Sequence, residues 1–180
     1  MKIMIIGVGG IGSFLVPLLS KAGHKLHIYD FDRIEEKNIP YQNFSLEDVG
    51  KLKVDVFAPL VEKTIPFPVL TKKQMEGFDL VVCCVDNLSA RKTLYNSGVK
   101  WLDLRAQGRN AALISYEADP KQYDTLLAGP EGSFSCQGDS WDGKVKSVHF
   151  MQVVIAGYGA QWIQRWSNNE KVGLFKVVNF

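Results

Sequence analysis

Gly7-Val8-Gly9-Gly10-Ile11-Gly12-Ser13 follows a short apolar run and opens an amphipathic one. A glycine turn in that setting can cradle a phosphate. Gly7 permits the tight turn, Gly9 lets a phosphate approach the backbone, and Gly12 lets helix pack on strand. Gly10 completes the set of turn residues assigned to the ligand. The helix start supplies free N–H groups and a partial positive charge. The glycines alone are weak, because such turns serve many nucleotide binders. Asp30 and Asp32 narrow the reading. Asp30 lies roughly 20 residues beyond the turn, where a carboxylate holds ribose hydroxyls. Its acidity argues against a 2′-phosphate and so against NADP. Asp32 either touches the ligand or is a solvated turn aspartate. With Asn38 downstream, the set points to chemistry at a nucleotide phosphate rather than hydride transfer.

Alternating strands and helices must position these residues. Residues 2–6 read as a first strand. Residues 11–22 read as a helix with Leu15, Leu18 and Leu19 on one face, stopped by Gly23 and bent or shortened by Pro17. Residues 26–29 form a second strand ending at Asp30. Ser45 caps a helix expected to run to about Lys63. Residues 64–70 are extended, with Pro66 and Pro68. The apolar run 80–85 reads as a strand buried on both faces. Asp86 stands at its C-terminal edge, where ligands bind in open parallel sheets. A helix follows to Asn96, closed by Gly98. Residues 100–104 and 111–116 are further strands. Residues 119–147 form a long, Gly- and Ser-rich crossover loop of functional or mobile character. Val148, Met151, Ile155, Tyr158, Trp162 and Trp166 recur at helical spacing, and residues 172–178 close the sheet. The fold class is α/β: a doubly wound, Rossmann-like, mainly parallel sheet flanked by helices, with antiparallel C-terminal strands. Residues 1–180 are expected to form one nucleotide-binding domain.

Composition excludes other classes. Apolar residues make up 46% and charged residues 22% of 180, ordinary for a globular protein with a core of its own. A formal charge of +2, without runs of like charge, favours neither nucleic acid nor membrane as a partner. The N-terminal apolar run is too short for a signal-peptide core. Cys83, Cys84 and Cys136 form no CxxC pair, against a disulfide framework or structural zinc. A reducing, cytoplasmic location is expected.

The runs GVGGIGS, DFDRIEEKN, VGKLK and VVCCVDNLSARKTLYN resemble the ThiF/MoeB/HesA family of adenylating enzymes, related to the ubiquitin-activating enzymes. The likeness runs from Lys2 to about Asn96, and more weakly to Trp166. It implies a domain that binds ATP and magnesium. The implied reaction activates the C-terminal carboxylate of a small ubiquitin-like or sulfur-carrier protein, ending in Gly-Gly, as an acyl-adenylate. By resemblance Asp30 holds ribose with Asp32 as its partner. Asn38 lies on the phosphate side, Lys53 clamps phosphate, and Asp86 holds magnesium. Arg91 matches a helix arginine taken as structural or one layer behind the ligand. Relatives dimerise, so a homodimer is expected.

Physics agrees with that set. A C-terminal carboxylate is already ionised at neutral pH and needs no general base. The barrier is the meeting of two anions, so cationic clamping and orientation should dominate. Lys53 would otherwise be a solvated helix lysine. The chain departs from the family pattern at Tyr41, where a phosphate-binding arginine is usual. The family's zinc cysteines, and the arginine from a helix before its first strand, find no match in these residues and are expected not to contribute. Cys136 either receives the activated acyl group or is an ordinary loop cysteine. Lys144, Lys146 and His149 would favour its thiolate, and Glu131, Asp139 and Asp142 oppose it. Two rival readings stand beside adenylation. One is an NAD-binding oxidoreductase or nucleotide-sensing module, though no catalytic His or Tyr-x-x-x-Lys pattern is apparent. The other is a catalytically silent partner subunit.

Overall fold

The computed structural model describes residues 1–123, 136–138 and 141–179. Its strands are β1 (Lys2–Ile6), β2 (Lys25–Tyr29), β3 (Lys63–Ile65), β4 (Leu80–Cys83), β5 (Trp101–Gln107), β6 (Asn110–Ser115) and β7 (Phe175–Asn179). They form one sheet in the order β3-β2-β1-β4-β5-β6-β7. The first five strands are parallel. The last two pairings are antiparallel. The chain winds outward from β1 in one direction and then returns to pair β4 on its other side. The strand order therefore reverses between β1 and β4, the place where open α/β sheets bind ligands.

Side-chain alternation along β1 explains why both faces are covered. Ile3 and Ile5 join Leu15, Leu19, Ile155 and Ile163 in one core. Those partners belong to helices α1 (Gly12–Lys21) and α5 (Met151–Ser167). Met4 and Ile6 join Val81, Cys83, Leu94 and Trp101 in the other. Leu94 comes from helix α3 (Leu88–Tyr95), which Asn87 caps by accepting from the Ser89 and Ala90 N–H groups. Every residue of β4 is buried, as its unbroken apolar run requires. In α5, Trp162 is core and stacks on Trp166, while Tyr158 is exposed.

Pro17 does not break α1. A proline leaves the carbonyl four residues back without its helical donor, and that carbonyl is Ser13's. Asn43 Nδ2 donates to it at 3.1 Å, and the Asn43 N–H donates to Ser13 Oγ at 3.0 Å. The proline thereby docks the 38–42 segment above α1.

The expected helix from Ser45 to Lys63 does not form. Ser45 and Asp48 do make a reciprocal cap, but only over a 3₁₀ turn, Leu46–Asp48. Gly50 then adopts a φ of +87°, which ends any helix there. Its N–H donates to Ile34 O at 2.8 Å, and Ile34 N–H donates to Lys51 O at 2.9 Å. Pairing with the strand-like 33–34 segment has displaced local helix. What remains is a single turn, α2 (Lys53–Val56), and a 3₁₀ turn, Ala58–Leu60, containing Pro59. Of the expected 119–147 loop, residues 124–135, 139 and 140 lie outside the described residues. The described part includes a short helix, α4 (Pro120–Tyr123), and a 3₁₀ turn, Val145–Ser147. Among the described residues no helix is long and apolar enough to cross a membrane.

Gly12 is the tightest point of the frame. A Cβ there would stand 2.0 Å from Gly7 O. Gly12→Ala should therefore cost about 3 kcal/mol or more of stability, at the upper end of overpacking costs. Urea unfolding would check this, and a loss under about 0.5 kcal/mol would contradict it.

Candidate active site

A cleft of about 1050 Å³ opens at the strand-order reversal. All the expected site residues line it except Gly12, which closes the turn from behind. Gly7 has a φ of +88° and donates its N–H to Tyr29 O at 2.8 Å. No side chain caps α1. The Ser13 and Phe14 N–H groups donate to Gly9 O and Ile11 O at 3.0 and 3.1 Å, which leaves the N–H groups from Gly9 to Gly12 without a hydrogen-bond partner among the described residues and available to an anion. The space over Gly9 is bounded by Gln42 and Lys53. A Cβ there would meet Gln42 Nε2 at 3.7 Å and Lys53 Nζ at 3.8 Å.

Asp30 ties the two loops together. Its Oδ2 accepts from the Val8 N–H at 2.8 Å and its Oδ1 from the Asp32 N–H at 2.9 Å. Burial raises its pKa, and Lys53 and the two N–H groups only partly offset that. Asp32 in turn holds Lys53: Nζ donates to Oδ2 at 2.8 Å, and the Lys53 N–H donates to Asp32 O at 3.0 Å. Lys53 is only 6% exposed, so it is not a solvated helix lysine. The Asp32 side chain is 52% exposed.

Asn38 is buried in the 3₁₀ turn Glu36–Asn38. Its Oδ1 accepts from the Glu35 N–H at 3.0 Å and its Nδ2 donates to Tyr41 Oη at 3.1 Å. It shapes the segment that overhangs the cleft. Tyr41 packs edge-on to Trp141, and its carbonyl accepts from Gln152 Nε2 at 3.1 Å. Gln42 was not anticipated. It is buried, and its Oε1 has no hydrogen-bond partner among the described residues. An incoming hydroxyl or amino group would satisfy it. The sequence offered no signal beyond its place in the 38–42 stretch.

Asp86 lies between β4 and α3 and lines the cleft. No group of three or more His, Cys, Asp or Glu among the described residues could hold a metal. Asp86 alone still suits magnesium, which commonly takes one or two carboxylates plus substrate phosphates.

A second unanticipated feature is Asp103, fully buried in β5. Arg91 Nε donates to its Oδ1 at 3.2 Å. Arg105 Nε and Tyr95 Oη donate to its Oδ2 at 2.8 and 2.7 Å. Burial pushes its pKa up, but the two guanidiniums and the tyrosine outweigh this and hold it below the usual range. The signal was an aspartate inside the apolar run Trp101-Leu102-Asp103-Leu104.

Cys136 is not exposed in a polar loop. Its thiol packs on the glycine turn, where a Cβ on Gly10 would stand 2.6 Å from Sγ. Burial pushes the thiol up to about 11, with Asp86 raising it further and Lys53 lowering it. Gln137 pins the neighbouring chain by exchanging hydrogen bonds with the His149 backbone, at 2.7 and 2.9 Å.

A mainly parallel sheet with a glycine turn at its order reversal defines a Rossmann-like α/β protein. The ThiF family model matches residues 1–166, and the chain belongs to that family. It is 34% identical over 110 residues to the NEDD8-activating enzyme E1 catalytic subunit of Arabidopsis thaliana, covering 54% of this chain and 24% of that protein. It is 26% identical over 164 residues to ubiquitin-like modifier-activating enzyme 5 of Oryza sativa subsp. japonica, covering 75% and 37%. Among solved structures, E. coli MccB superposes with a TM-score of 0.71 at 18% identity, covering 99% of this chain and 59% of that one. PaaA gives 0.69 at 18%, covering 99% and 60%. MccB has also been solved with ATP. The structural likeness shows the fold. The chain spans about a quarter to two fifths of the curated relatives' length and about three fifths of the solved chains'.

Alkylation checks the thiol environment. A pKa of about 11 against an ordinary value of about 8.5 leaves about 300-fold less thiolate at pH 7. Labelling of Cys136, mapped by mass spectrometry, should be slow at pH 7–8 and rise with a midpoint near 11. Fast labelling with a midpoint near 8.5 would contradict the buried placement.

Proposed function

We propose that residues 1–180 form an ATP-dependent adenylating domain. Its substrate is the C-terminal carboxylate of a small ubiquitin-like or sulfur-carrier protein ending in Gly-Gly. The single observation that carries the reading is the buried Lys53 ammonium, held by Asp32 over Gly9 with a side-chain bond of 2.8 Å. A desolvated cation above a phosphate cradle serves phosphoryl chemistry and has no evident use in hydride transfer. The names of the similar relatives, all activating enzymes of ubiquitin-like modifiers, support it, as does the fold shared with a protein solved with ATP.

In this reading Asp30 accepts ribose hydroxyls, and the N–H groups from Gly9 to Gly12 hold phosphate. Lys53 draws charge from the phosphate oxygens, while Asn38 keeps the overhanging segment in place. Asp86 would hold magnesium, which supplies further neutralisation of the phosphates. A carboxylate oxygen of the carrier bonds to the α-phosphorus as the bond to pyrophosphate breaks. Cys136 then takes the acyl group: its thiol proton passes to water, sulfur bonds to the acyl carbon, and the bond from that carbon to the phosphate oxygen breaks as AMP leaves. The three free cysteines fit a reducing, cytoplasmic setting. Phe150, Val153, Val154 and Tyr158 form an exposed stripe on one side of α5 and its start. We assign it to a homodimer contact.

A catalytically silent subunit is the second reading, favoured by Tyr41, which places a buried phenol rather than a cation beside Asn38. Exchange between ATP and pyrophosphate separates the two. Wild type should exchange, Lys53→Ala and Asp86→Ala should each lose about 10²-fold or more, and Cys136→Ala should retain the rate. Calorimetry with ATP–magnesium, AMP and NAD completes the test: binding of NAD alone would overturn the adenylation reading, and ATP binding without exchange would support the silent one. Light scattering should give a dimeric mass that Val154→Glu converts to monomer. A wild-type monomer at high concentration would remove the dimer assignment.

A further inference from the structure

Arg91 is 7% exposed, yet its only side-chain hydrogen bond among the described residues is the one from Nε to Asp103. Its two terminal nitrogens have no hydrogen-bond partner there, although it lines the cleft. Those nitrogens are not among the enclosed unpartnered atoms; they open on the cleft, where water or a ligand can accept from them. Asp103 is shared. One carboxylate meets both Arg91 and Arg105. The Tyr95 hydroxyl and Arg105 occupy the other oxygen of Asp103, which orients the carboxylate and with it the Arg91 fork.

The place of this fork in the sheet identifies what it meets. Asp30 follows β2, the glycine turn follows β1, and Asp86 follows β4. Asp103 lies on the next strand, in register with Cys83 at the end of β4. Adjacent strands lie about 4.8 Å apart, so β2 and β5 are separated by roughly 14 Å. A nucleotide with its ribose at β2 and its phosphates over β1 reaches Asp86. The β5 side is left for the group that approaches the phosphate. A planar fork of two N–H donors matches a planar carboxylate bidentately. We propose that Arg91, oriented by Asp103, is the subsite for the C-terminal carboxylate of the incoming peptide. The adenylation reading supplies the identity of that anion; the unused edge of Arg91 does not depend on it.

The test uses a synthetic peptide ending in Gly-Gly, as free acid and as C-terminal amide, with AMP binding measured in parallel. Wild type should bind the acid at least tenfold more tightly than the amide. Arg91→Lys keeps the charge and a partner for Asp103 but loses the fork. It should abolish the acid preference while AMP affinity stays within twofold. An unchanged acid preference in Arg91→Lys would overturn the proposal. So would a tenfold fall in AMP affinity with the acid preference intact, which would make Arg91 a phosphate ligand. Should the variant unfold, the wild type decides alone: the Arg91 guanidinium NMR signals should shift with the acid peptide and not with the amide, and no shift overturns the proposal. Failure of the adenylation reading looks different, because it removes ATP and AMP binding while leaving the acid–amide comparison to judge Arg91.

Discussion

The Asp30 carboxylate is the joint on which the cleft depends. Its two oxygens accept backbone N–H groups from two different loops, Val8 in the glycine turn and Asp32 after β2. That fixes the second loop against the first. Asp32 then fixes Lys53 through both its carbonyl and its carboxylate. Lys53 comes to rest over Gly9 because of this chain of contacts, not because of helical propensity in its own segment. Its helix is a single turn, Lys53–Val56. A buried cation costs desolvation unless it is paired, and Asp32 supplies the partner at rest.

The overhanging segment depends on a different constraint. Pro17 frees the Ser13 carbonyl, and Asn43 takes it. Asn38 and Gln152 brace the rest of the 38–42 stretch from opposite sides. The segment therefore needs both α1 and α5 in place before Tyr41 and Gln42 can face the cleft. The site is a tertiary product of elements far apart in the chain, and its geometry tracks the stability of the whole sheet.

This explains what was legible in the sequence. The strands and the helices α1, α3 and α5 follow from apolar periodicity and from local stops such as Gly23, Asn87 and Gly98, so their positions could be read directly. The edge that carries the cleft could also be read, because strand ends and glycine turns are local signals. Residues 45–63 could not. Their cap at Ser45 is real, but Gly50 and the pairing with Ile34 belong to the tertiary fold. Lys53 was found by resemblance; its burial is set by Asp32, 21 residues away. Cys136 lies in a polar stretch, and its neighbours in sequence do not reveal that Gly10 covers its thiol. Asp103 broke an apolar run, a signal that had no meaning until Arg91 and Arg105 converged on it.

The two cations differ in how they are paired. Lys53 is paired at rest with a half-exposed aspartate. If a phosphate binds there as proposed, Asp32 would be rehydrated cheaply, so the exchange of one anion for another at Lys53 would cost little. Arg91 is paired with an aspartate that water does not reach. Asp103 cannot release Arg91 without leaving a buried charge unpaired, which is strongly unfavourable. Arg91 must therefore act with its spare edge while keeping its bond. One cation is exchangeable and the other is fixed. On the adenylation reading proposed above, that division would suit the cleft: the fixed fork would orient the second anion, and the exchangeable ammonium would follow the charge as it moves from the α-phosphate to the departing group.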